Sequence, residues 1–442
     1  MPEADKLGRL QADLAIVGAG PAGLAAAQRA CSAGLQVVLL DSAPLAGGQV
    51  WRARQGVAAA PVAHALERLD AGGVRVLTGS RVAMALPGRA LLVDRPGGAV
   101  RLQWSRLILA TGARERLLPF PGWTLPGVFG AGGLQALVKG GWPIRGRRVL
   151  VAGTGPLLLA AAATLRREGA QVVGLVEEAG PAALLRFAGA LAAHPRKASQ
   201  ALRLGAFLLG TRFVGGTRVV AAEGDGRVEQ VVLQRTGGGR TRTIPCDALA
   251  AAWGLLPQTE LAEALGCALA PRFDAPAIAV DAAQRTTVPG VFAAGECTGV
   301  AGAEAARLQG EAAACAVAGE LGAGLQAASN HARRLAREHA FASAVATAFP
   351  APVAWAARLR DDTLVCRCED VPWSALREQP DLRSDKLATR CGMGHCQGRL
   401  CHDALAVAMA WPRLASRPPL SPVPLASLLA AIQDPPNEEP SP

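Results

Sequence analysis

The stretch DLAIVGAGPAGLAAAQRACSAGLQVVLLD, residues 13–41, decides the fold of this chain. A short apolar run leads into the pattern GxGxxG at Gly18, Gly20 and Gly23, and an alanine-rich segment then leads to a second apolar run that ends in Asp41. Short apolar runs suit buried parallel strands, whereas the longer alanine-rich segment suits a helix. The pattern therefore predicts a strand over 13–17, a helix to about residue 33 and a strand over 36–40.

Each glycine in this unit has a physical role. Gly18 allows a tight turn, Gly20 lets a pyrophosphate approach the backbone, and Gly23 lets the helix pack closely on the strand. The helix N-terminus offers free N–H groups and a positive dipole end, and Asp41 is placed to accept hydrogen bonds from a ribose. A lone GxGxxG is weak, but this order of strand, glycines, helix, strand and acid predicts a dinucleotide site.

Both NAD and FAD use such a unit, and three further motifs distinguish them. GGQ follows Asp41, ILATGAR covers 108–114, and TVPGVFAAGE covers 287–296. Together they resemble the flavoproteins of the pyridine-nucleotide disulfide reductase superfamily. The resemblance implies bound FAD, with Glu296 hydrogen-bonded to the ribityl chain where relatives more often have Asp. The FAD-binding residues implied by the loop and these motifs are Gly18, Gly20, Pro21, Ala22, Gly23, Asp41, Gly47, Gly48, Gln49, Thr111, Gly112, Gly295 and Glu296.

A second unit of the same kind begins near residue 148. Gly153 and Gly155 open GTGPLL, but Leu158 stands where the third glycine belongs and should push the helix away from the ideal phosphate position. Two interpretations remain open, a nucleotide site and a scaffold. If a nucleotide binds, Glu177 favours NAD or ATP over NADP, because its charge repels a 2′-phosphate.

Five of the ten cysteines lie between Cys366 and Cys401, in CRCED and TRCGMGHCQGRLC. Closely spaced thiolates are soft ligands that suit iron–sulfur clusters or zinc. A disulfide-stapled module and a zinc site are the alternatives. Disulfides fit poorly with a long chain that shows no signal peptide, and zinc sites more often use C-x2-C than C-x-C spacing, so iron–sulfur is favoured. The other five cysteines form no CxxC pair, which argues against thiol–disulfide transfer.

The cysteine stretch resembles the bacterioferritin-associated-ferredoxin type of [2Fe-2S] domain. The whole order of motifs is similar to the alpha (A) subunits of heteromeric FAD-dependent amine and amino-acid dehydrogenases, the opine oxidase, D-hydroxyproline dehydrogenase, dye-linked proline dehydrogenase and hydrogen cyanide synthase type. This resemblance implies cluster ligation by Cys366, Cys368, Cys396 and Cys401, with Cys391 as a bystander. It also implies an FAD-containing beta subunit on which the substrate is oxidised, a small ferredoxin-like subunit, and an interfacial FMN as an optional cofactor.

Composition excludes several classes of function. The net charge is +11, but no compact Lys/Arg run occurs and tyrosine is absent, so nucleic-acid binding is disfavoured. No apolar run reaches the roughly 18 residues that span a bilayer. The N-terminus does not resemble a signal peptide, so we expect a cytoplasmic protein that meets the inner membrane, if at all, through its electron acceptor.

The expected fold class is α/β, with two Rossmann-like dinucleotide-binding domains and a small helical C-terminal iron–sulfur domain. The predicted segments are an FAD domain (1–122 and 272–325), a second NAD-like domain (123–271), a helical connector (326–360), a [2Fe-2S] domain (361–412) and a proline-rich tail (413–442).

The favoured function is electron transfer within a dehydrogenase that acts on the C–N bond of an amino acid or secondary amine. One alternative is a self-sufficient NADH-dependent oxidoreductase, and another is a scaffold subunit with vestigial sites. No catalytic base can be assigned from the sequence.

Overall fold

The computed structural model describes residues 7–325 and 329–433. The end of the predicted proline-rich tail, from Asp434 onward, lies outside these ranges. The described strands are β1 (Gly8–Val17), β2 (Val37–Leu40), β3 (Arg75–Leu77), β4 (Arg81–Leu86), β5 (Ala90–Asp94), β6 (Val100–Leu109), β7 (Ala113–Glu115), β8 (Val128–Gly130), β9 (Arg148–Gly153), β10 (Gln171–Glu177), β11 (Phe213–Gly215), β12 (Thr217–Glu223), β13 (Gln230–Arg235), β14 (Thr241–Pro245), β15 (Ala248–Ala252), β16 (Leu255–Pro257), β17 (Leu269–Arg272), β18 (Ala275–Ile278), β19 (Val291–Ala293), β20 (Leu364–Cys366) and β21 (Val371–Pro372).

The described helices are α1 (Pro21–Cys31), α2 (Ala60–Ala71), α3 (Ala131–Lys139), α4 (Leu157–Arg167), α5 (Pro181–Ala192), α6 (Pro195–Phe207), α7 (Glu260–Ala264), α8 (Ala303–Glu320), α9 (His331–Ala348), α10 (Trp373–Leu376), α11 (Leu382–Thr389), α12 (Cys401–Met409) and α13 (Leu425–Gln433). None of the helices in these ranges is long and apolar enough to cross a membrane.

The chain folds into two compact units. The first takes the described residues of Met1–Arg114, Leu256–Ala340 and Ala415–Pro442, and the second takes Glu115–Leu255 and Phe341–Leu414. The cysteine stretch therefore folds in one unit with the second dinucleotide-type domain.

The first unit contains a seven-stranded sheet in the order β3-β2-β1-β6-β5-β4, with β19 also paired to β6. The central pairs β1–β2 and β1–β6 are parallel, and the β4–β5–β6 ribbon is antiparallel. The alanine-rich helices α1 and α8 approach closely, since a Cβ on Gly310 would lie 2.1 Å from the Ala22 carbonyl oxygen. Their small side chains thus bring both helices onto one face of the sheet, where Leu14, Ile16 and Leu39 are fully buried.

The second unit contains a parallel sheet in the order β11-β10-β9-β15-β8 and an antiparallel sheet in the order β12-β13-β14. The antiparallel sheet is a meander of three consecutive strands. Strand β15 is an uninterrupted buried run, ALAAA, as expected for a parallel strand covered on both faces. The α/β class with two Rossmann-type sheets is confirmed.

Candidate cofactor and metal sites

The first glycine loop requires glycine at two of its three positions. Gly18 has a φ of +109°, and a Cβ there would lie 2.2 Å from the Ala110 carbonyl oxygen. A Cβ on Gly23 would lie 1.8 Å from the carbonyl oxygen of Gly18. Helix α1 begins directly after the loop, with Gly20 as an N-cap that makes no side-chain hydrogen bond. The helix end is thus available to an anionic group such as a pyrophosphate.

Asp41 follows β2 and holds the glycine loop. Its Oδ2 accepts a hydrogen bond from the Ala19 N–H at 2.7 Å, and its Oδ1 accepts one from the Ala43 N–H at 2.7 Å. Burial raises the pKa of this carboxyl, and the two N–H donors partly offset that rise. The side chain therefore lies at the carboxyl end of β2, where the sequence predicts a ribose acceptor.

The GGQ segment lies over the loop. The Gly47 N–H donates to the Ala19 carbonyl at 2.8 Å, and the Gly48 Cα lies 3.9 Å from where a Cβ on Gly20 would be. Gly47 and Gly48 have φ angles of +120° and +58°. Gln49 accepts a hydrogen bond from Arg52 at 3.3 Å. The structure thus brings this second predicted motif onto the first.

The ATG motif is fixed by a residue that sequence reasoning missed. The Gln258 N–H donates to the Gly112 carbonyl at 2.9 Å, and its side-chain amide donates to the Thr111 carbonyl at 2.8 Å. The Thr111 hydroxyl donates back to the Gln258 carbonyl at 2.8 Å. Because these partners are about 147 residues apart in the chain, no local pattern indicates them.

The last FAD motif ends in a turn held by Gln309 of α8. Gly295 has a φ of +87°, and its N–H donates to Gln309 Oε1 at 3.0 Å, while Gln309 Nε2 donates to the Thr298 hydroxyl at 3.0 Å. Burial raises the pKa of Glu296, and the hydrogen bond from the Gly302 N–H partly offsets that rise. Gln309 is 3% exposed, and the sequence signalled neither its burial nor its role.

The free cysteine beside this motif is a structural residue. Cys297 is fully buried, its thiol donates to the carbonyl oxygens of Leu109 and Ala294, and burial raises its pKa to about 11. All ten cysteines of the chain are free. A thiol with so high a pKa is a poor nucleophile at neutral pH, so Cys297 does not serve thiol–disulfide exchange.

In the cysteine stretch, three glycines make room for neighbouring side chains. A Cβ on Gly392 would lie 2.0 Å from the His402 ring, and one on Gly398 would lie 2.2 Å from it. A Cβ on Gly394 would lie 2.3 Å from the Cys368 Cβ. Gly392 and Gly398 have φ angles of +75° and +79°. The backbone therefore wraps tightly around the neighbouring side chains, and the imidazole of His402 fills the space between two glycines.

The five cysteines form a group of three and a pair. The Sγ atoms of Cys366, Cys391 and Cys401 all lie within 4.8 Å of one another, and these residues are at most 1% exposed. Cys368 and Cys396 are partly exposed, and their side chains hydrogen bond to each other. The structure thus places Cys366 next to Cys401 and Cys368 next to Cys396, but it does not bring the four predicted ligands into one group. It also places Cys391, the predicted bystander, in the group of three.

The thiols of the buried group hydrogen bond to one another. Hydrogen bonds from Cys391 and Cys401 hold the pKa of Cys366 far below its usual range, and the same contacts raise the pKa of Cys391. Burial raises the pKa of Cys368 to about 11. Several thiolates at such spacing suit a soft metal centre, which would displace these protons.

Two side chains of the second unit contact the residues that flank the cysteine stretch. The Trp123 indole N–H donates to the Leu364 carbonyl at 2.5 Å, and Arg116, which is 2% exposed, pairs with Asp403 at 3.1 Å. Asp403 lies two residues after Cys401. These contacts make the cysteine stretch an integral part of the second unit.

The chain is similar in sequence to a known family and to several known proteins. A model of the pyridine nucleotide-disulphide oxidoreductase family matches residues 12–318. The A subunit of opine oxidase from Rhizobium meliloti is 32% identical over 94% of this chain and 87% of its own length. Hydrogen cyanide synthase subunit HcnB of Pseudomonas aeruginosa is 33% identical over 87% of this chain and 90% of its own length.

Solved structures show the same fold. L-proline dehydrogenase from P. horikoshii superposes with a TM-score of 0.70 over 96% of this chain and 80% of that chain, at 22% identity. Thioredoxin reductase from T. acidophilum superposes with a TM-score of 0.53 over 70% of this chain and 99% of that chain, at 24% identity. The family match over most of the chain supports FAD as a cofactor and oxidoreduction as the activity. This chain belongs to the pyridine nucleotide-disulphide oxidoreductase family and, within it, to the group that contains the opine oxidase A subunits and hydrogen cyanide synthase subunit HcnB.

Proposed function

We propose that this chain is the FAD- and iron–sulfur-containing electron-transfer subunit of a heteromeric dehydrogenase. The substrate is an amino acid or secondary amine of the D-hydroxyproline, proline, opine or glycine class, and its C–N bond is oxidised on a partner flavoprotein. The observation that carries the proposal is a buried group of three cysteine sulfurs in a chain that also holds an FAD-type glycine loop. The names of the relatives, which call them subunits, support a heteromeric assembly.

The residues of the first unit fit FAD. The bare N-terminus of α1 binds the pyrophosphate beside Gly18 and Gly20, and Asp41 accepts the hydroxyl groups of the adenosine ribose. Gln309 orients the Gly295 turn that presents Glu296 to the ribityl chain. These residues bind and orient the cofactor.

The cysteine stretch fits a [2Fe-2S] cluster. We assign Cys366 and Cys401 to one iron and Cys368 and Cys396 to the other, because each pair is already adjacent. A [2Fe-2S] centre takes four thiolates, which leaves Cys391 as an uncoordinated neighbour. Burial of Cys366, Cys391 and Cys401 shields this side of the centre from water.

When bound, FAD supplies a two-electron couple and the cluster a one-electron couple, so the chain can split electron pairs into single electrons. The chain would then receive electrons from the partner flavoprotein, with an FMN at the subunit interface as an optional cofactor, and would pass them to a small ferredoxin-like subunit. None of the ten cysteines forms a disulfide, which fits a reducing compartment such as the cytoplasm.

The test is anaerobic purification of the full chain, followed by mass identification of acid-released flavin and by assay of iron and sulfide. We expect one FAD and two irons per chain, and no oxidation of proline, D-hydroxyproline, glycine or an opine by the chain alone. Adding the partner flavoprotein should restore oxidation and reduce the cluster. Full-rate oxidation by the isolated chain, or a colourless preparation, would contradict the proposal.

A further inference from the structure

The chain contains two glycine loops with the same spacing but different neighbours. GAGPAG occupies 18–23, and GTGPLL occupies 153–158. In the first loop, helix α1 sits so close that a Cβ on Gly23 would lie 1.8 Å from the Gly18 carbonyl oxygen. In the second, the corresponding residue of α4 is Leu158, whose side chain is 1% exposed and packs in the core. A leucine cannot make the close approach that glycine allows.

Different atoms lie next to the second glycine of each loop, Gly20 and Gly155. At Gly20, the neighbouring atom is the Cα of Gly48, 3.9 Å from where a Cβ would lie, and no side chain of the described residues lies within 4 Å of that position. At Gly155, the neighbours are the Cβ and Cγ of Phe349, at 3.8 and 3.9 Å from the corresponding position. A phenyl side chain therefore stands against the turn that a pyrophosphate would have to approach.

Phe349 is held in place from two sides. Its N–H donates to the Val345 carbonyl at 2.9 Å, which extends the last turn of α9. Its ring packs edge to face against the ring of Phe187 in α5, with the ring centroids 4.9 Å apart. The ring centroids of Phe187 and Phe341 are 6.0 Å apart. The Lys197 ammonium lies 5.4 Å from the centre of the Phe341 ring. The cover is thus part of an aromatic cluster that joins α5, α6 and α9.

The polar groups of the second loop are satisfied within the protein. Glu177 accepts hydrogen bonds from the Thr154 hydroxyl at 2.7 Å, the Gly155 N–H at 2.9 Å and the Ala179 N–H at 2.8 Å. Glu177 is 4% exposed. A ribose at this acid would have to compete with three protein donors in a buried setting.

We propose that Phe349 closes the second dinucleotide loop, so that this domain takes up neither a nicotinamide dinucleotide nor ATP. A nucleotide does not fit the residues that surround Gly155. The consequence concerns the source of electrons, because NADH then has no binding site in this domain and cannot reduce the flavin from it. This inference is independent of the amine that the complex oxidises.

The test measures binding of NADH, NAD⁺ and ATP to the FAD-loaded full chain by equilibrium dialysis. Saturated FAD keeps the first loop occupied. We compare the natural chain with Phe349→Gly, with Phe349→Trp as the control that keeps an aromatic cover, and with the double variant Phe349→Gly/Leu158→Gly. FAD content and melting temperature verify that each variant is folded.

We expect no saturable binding up to millimolar nucleotide for the natural chain and for Phe349→Trp. A variant that carries Phe349→Gly should bind nucleotide at least about tenfold more tightly than the natural chain does. Micromolar binding of any of the three nucleotides to the natural chain would overturn the proposal. It is overturned as well if neither the single nor the double glycine variant gains binding, since Phe349 would then not be the closing residue.

Discussion

The Sγ atoms of Cys391 and Cys401 lie 3.7 Å apart in the buried interior of the cysteine stretch. Two thiolates on one tetrahedral metal ion lie about 3.8 Å apart, given metal–sulfur bonds of about 2.3 Å. The pair therefore has a spacing suited to one metal ion, and Cys366 completes a group of three. Three thiolates are one too many for either iron of a [2Fe-2S] cluster, so one member of this group is a spare.

The spare cysteine can be identified by paired substitution. We expect Cys396→Ala to lose the cluster, because Cys396 is the cysteine paired with Cys368. We expect Cys391→Ala to keep two irons and two sulfides per chain, because Cys366 and Cys401 remain to bind the iron next to it. Iron and sulfide analysis with the visible spectrum gives the readout. Loss of iron in Cys391→Ala with retention in Cys396→Ala would exchange the two assignments.

Replacing Gly23 by alanine should abolish FAD binding. The added methyl group would lie 1.8 Å from the Gly18 carbonyl oxygen, and that contact can be relieved only by moving α1 away from the loop. Flavin content after purification is the measurement. The matched control is Gly189→Ala in α5, where a Cβ meets nothing within 4 Å and should stabilise the helix by about 0.5–1 kcal/mol. Equal flavin in both variants would show that the close contact is not required.

How much of these sites the sequence predicts depends on how local their contacts are. The sequence predicts the unit that ends at Asp41 because its strand, glycine loop, helix and acid are contiguous. Strands β1 and β2 and helix α1 confirm it. The sequence does not predict the first half of β1, from Gly8, because polar residues interrupt the apolar pattern there. In the structure this half pairs with β6. Phe349 and Gly155 are almost 200 residues apart, so no local pattern could show that one covers the other.

Gln309→Leu should weaken both the fold and the retention of FAD. The substitution leaves the Gly295 N–H and the Thr298 hydroxyl without their buried partner, and each unsatisfied group costs about 1–3 kcal/mol. Urea unfolding and a flavin dissociation constant measure the two effects. Gln200→Leu, on the exposed face of α6, is the control and should change neither quantity appreciably. An unchanged flavin affinity in Gln309→Leu would remove Gln309 from the cofactor site.

Glu304 should give a stability contribution that depends on pH. Hydrogen bonds and charge from Arg307, and then from Arg334, lower the pKa of Glu304 below its ordinary 4.5. A lowered folded-state pKa means that the contribution is complete above pH 4.5 and is lost as the pH falls through the folded-state value. Glu304→Gln should therefore cost up to about 1 kcal/mol at pH 7 and progressively less below pH 4.5. Urea midpoints across this range check it, and a difference that grows on acidification would contradict it.

Asp403→Asn should loosen the cysteine stretch. Asp403 pairs with Arg116, a guanidinium only 2% exposed, and breaking a buried ion pair by removing one partner costs up to about 3–5 kcal/mol. Because Asp403 follows Cys401 by two residues, we expect faster loss of iron to a chelator as well as a lower urea midpoint. Asp361→Asn is the control, since its pair with Arg377 is exposed on both sides and worth less than about 1 kcal/mol. If both variants release iron at the natural rate, the Arg116–Asp403 pair does not support the metal centre.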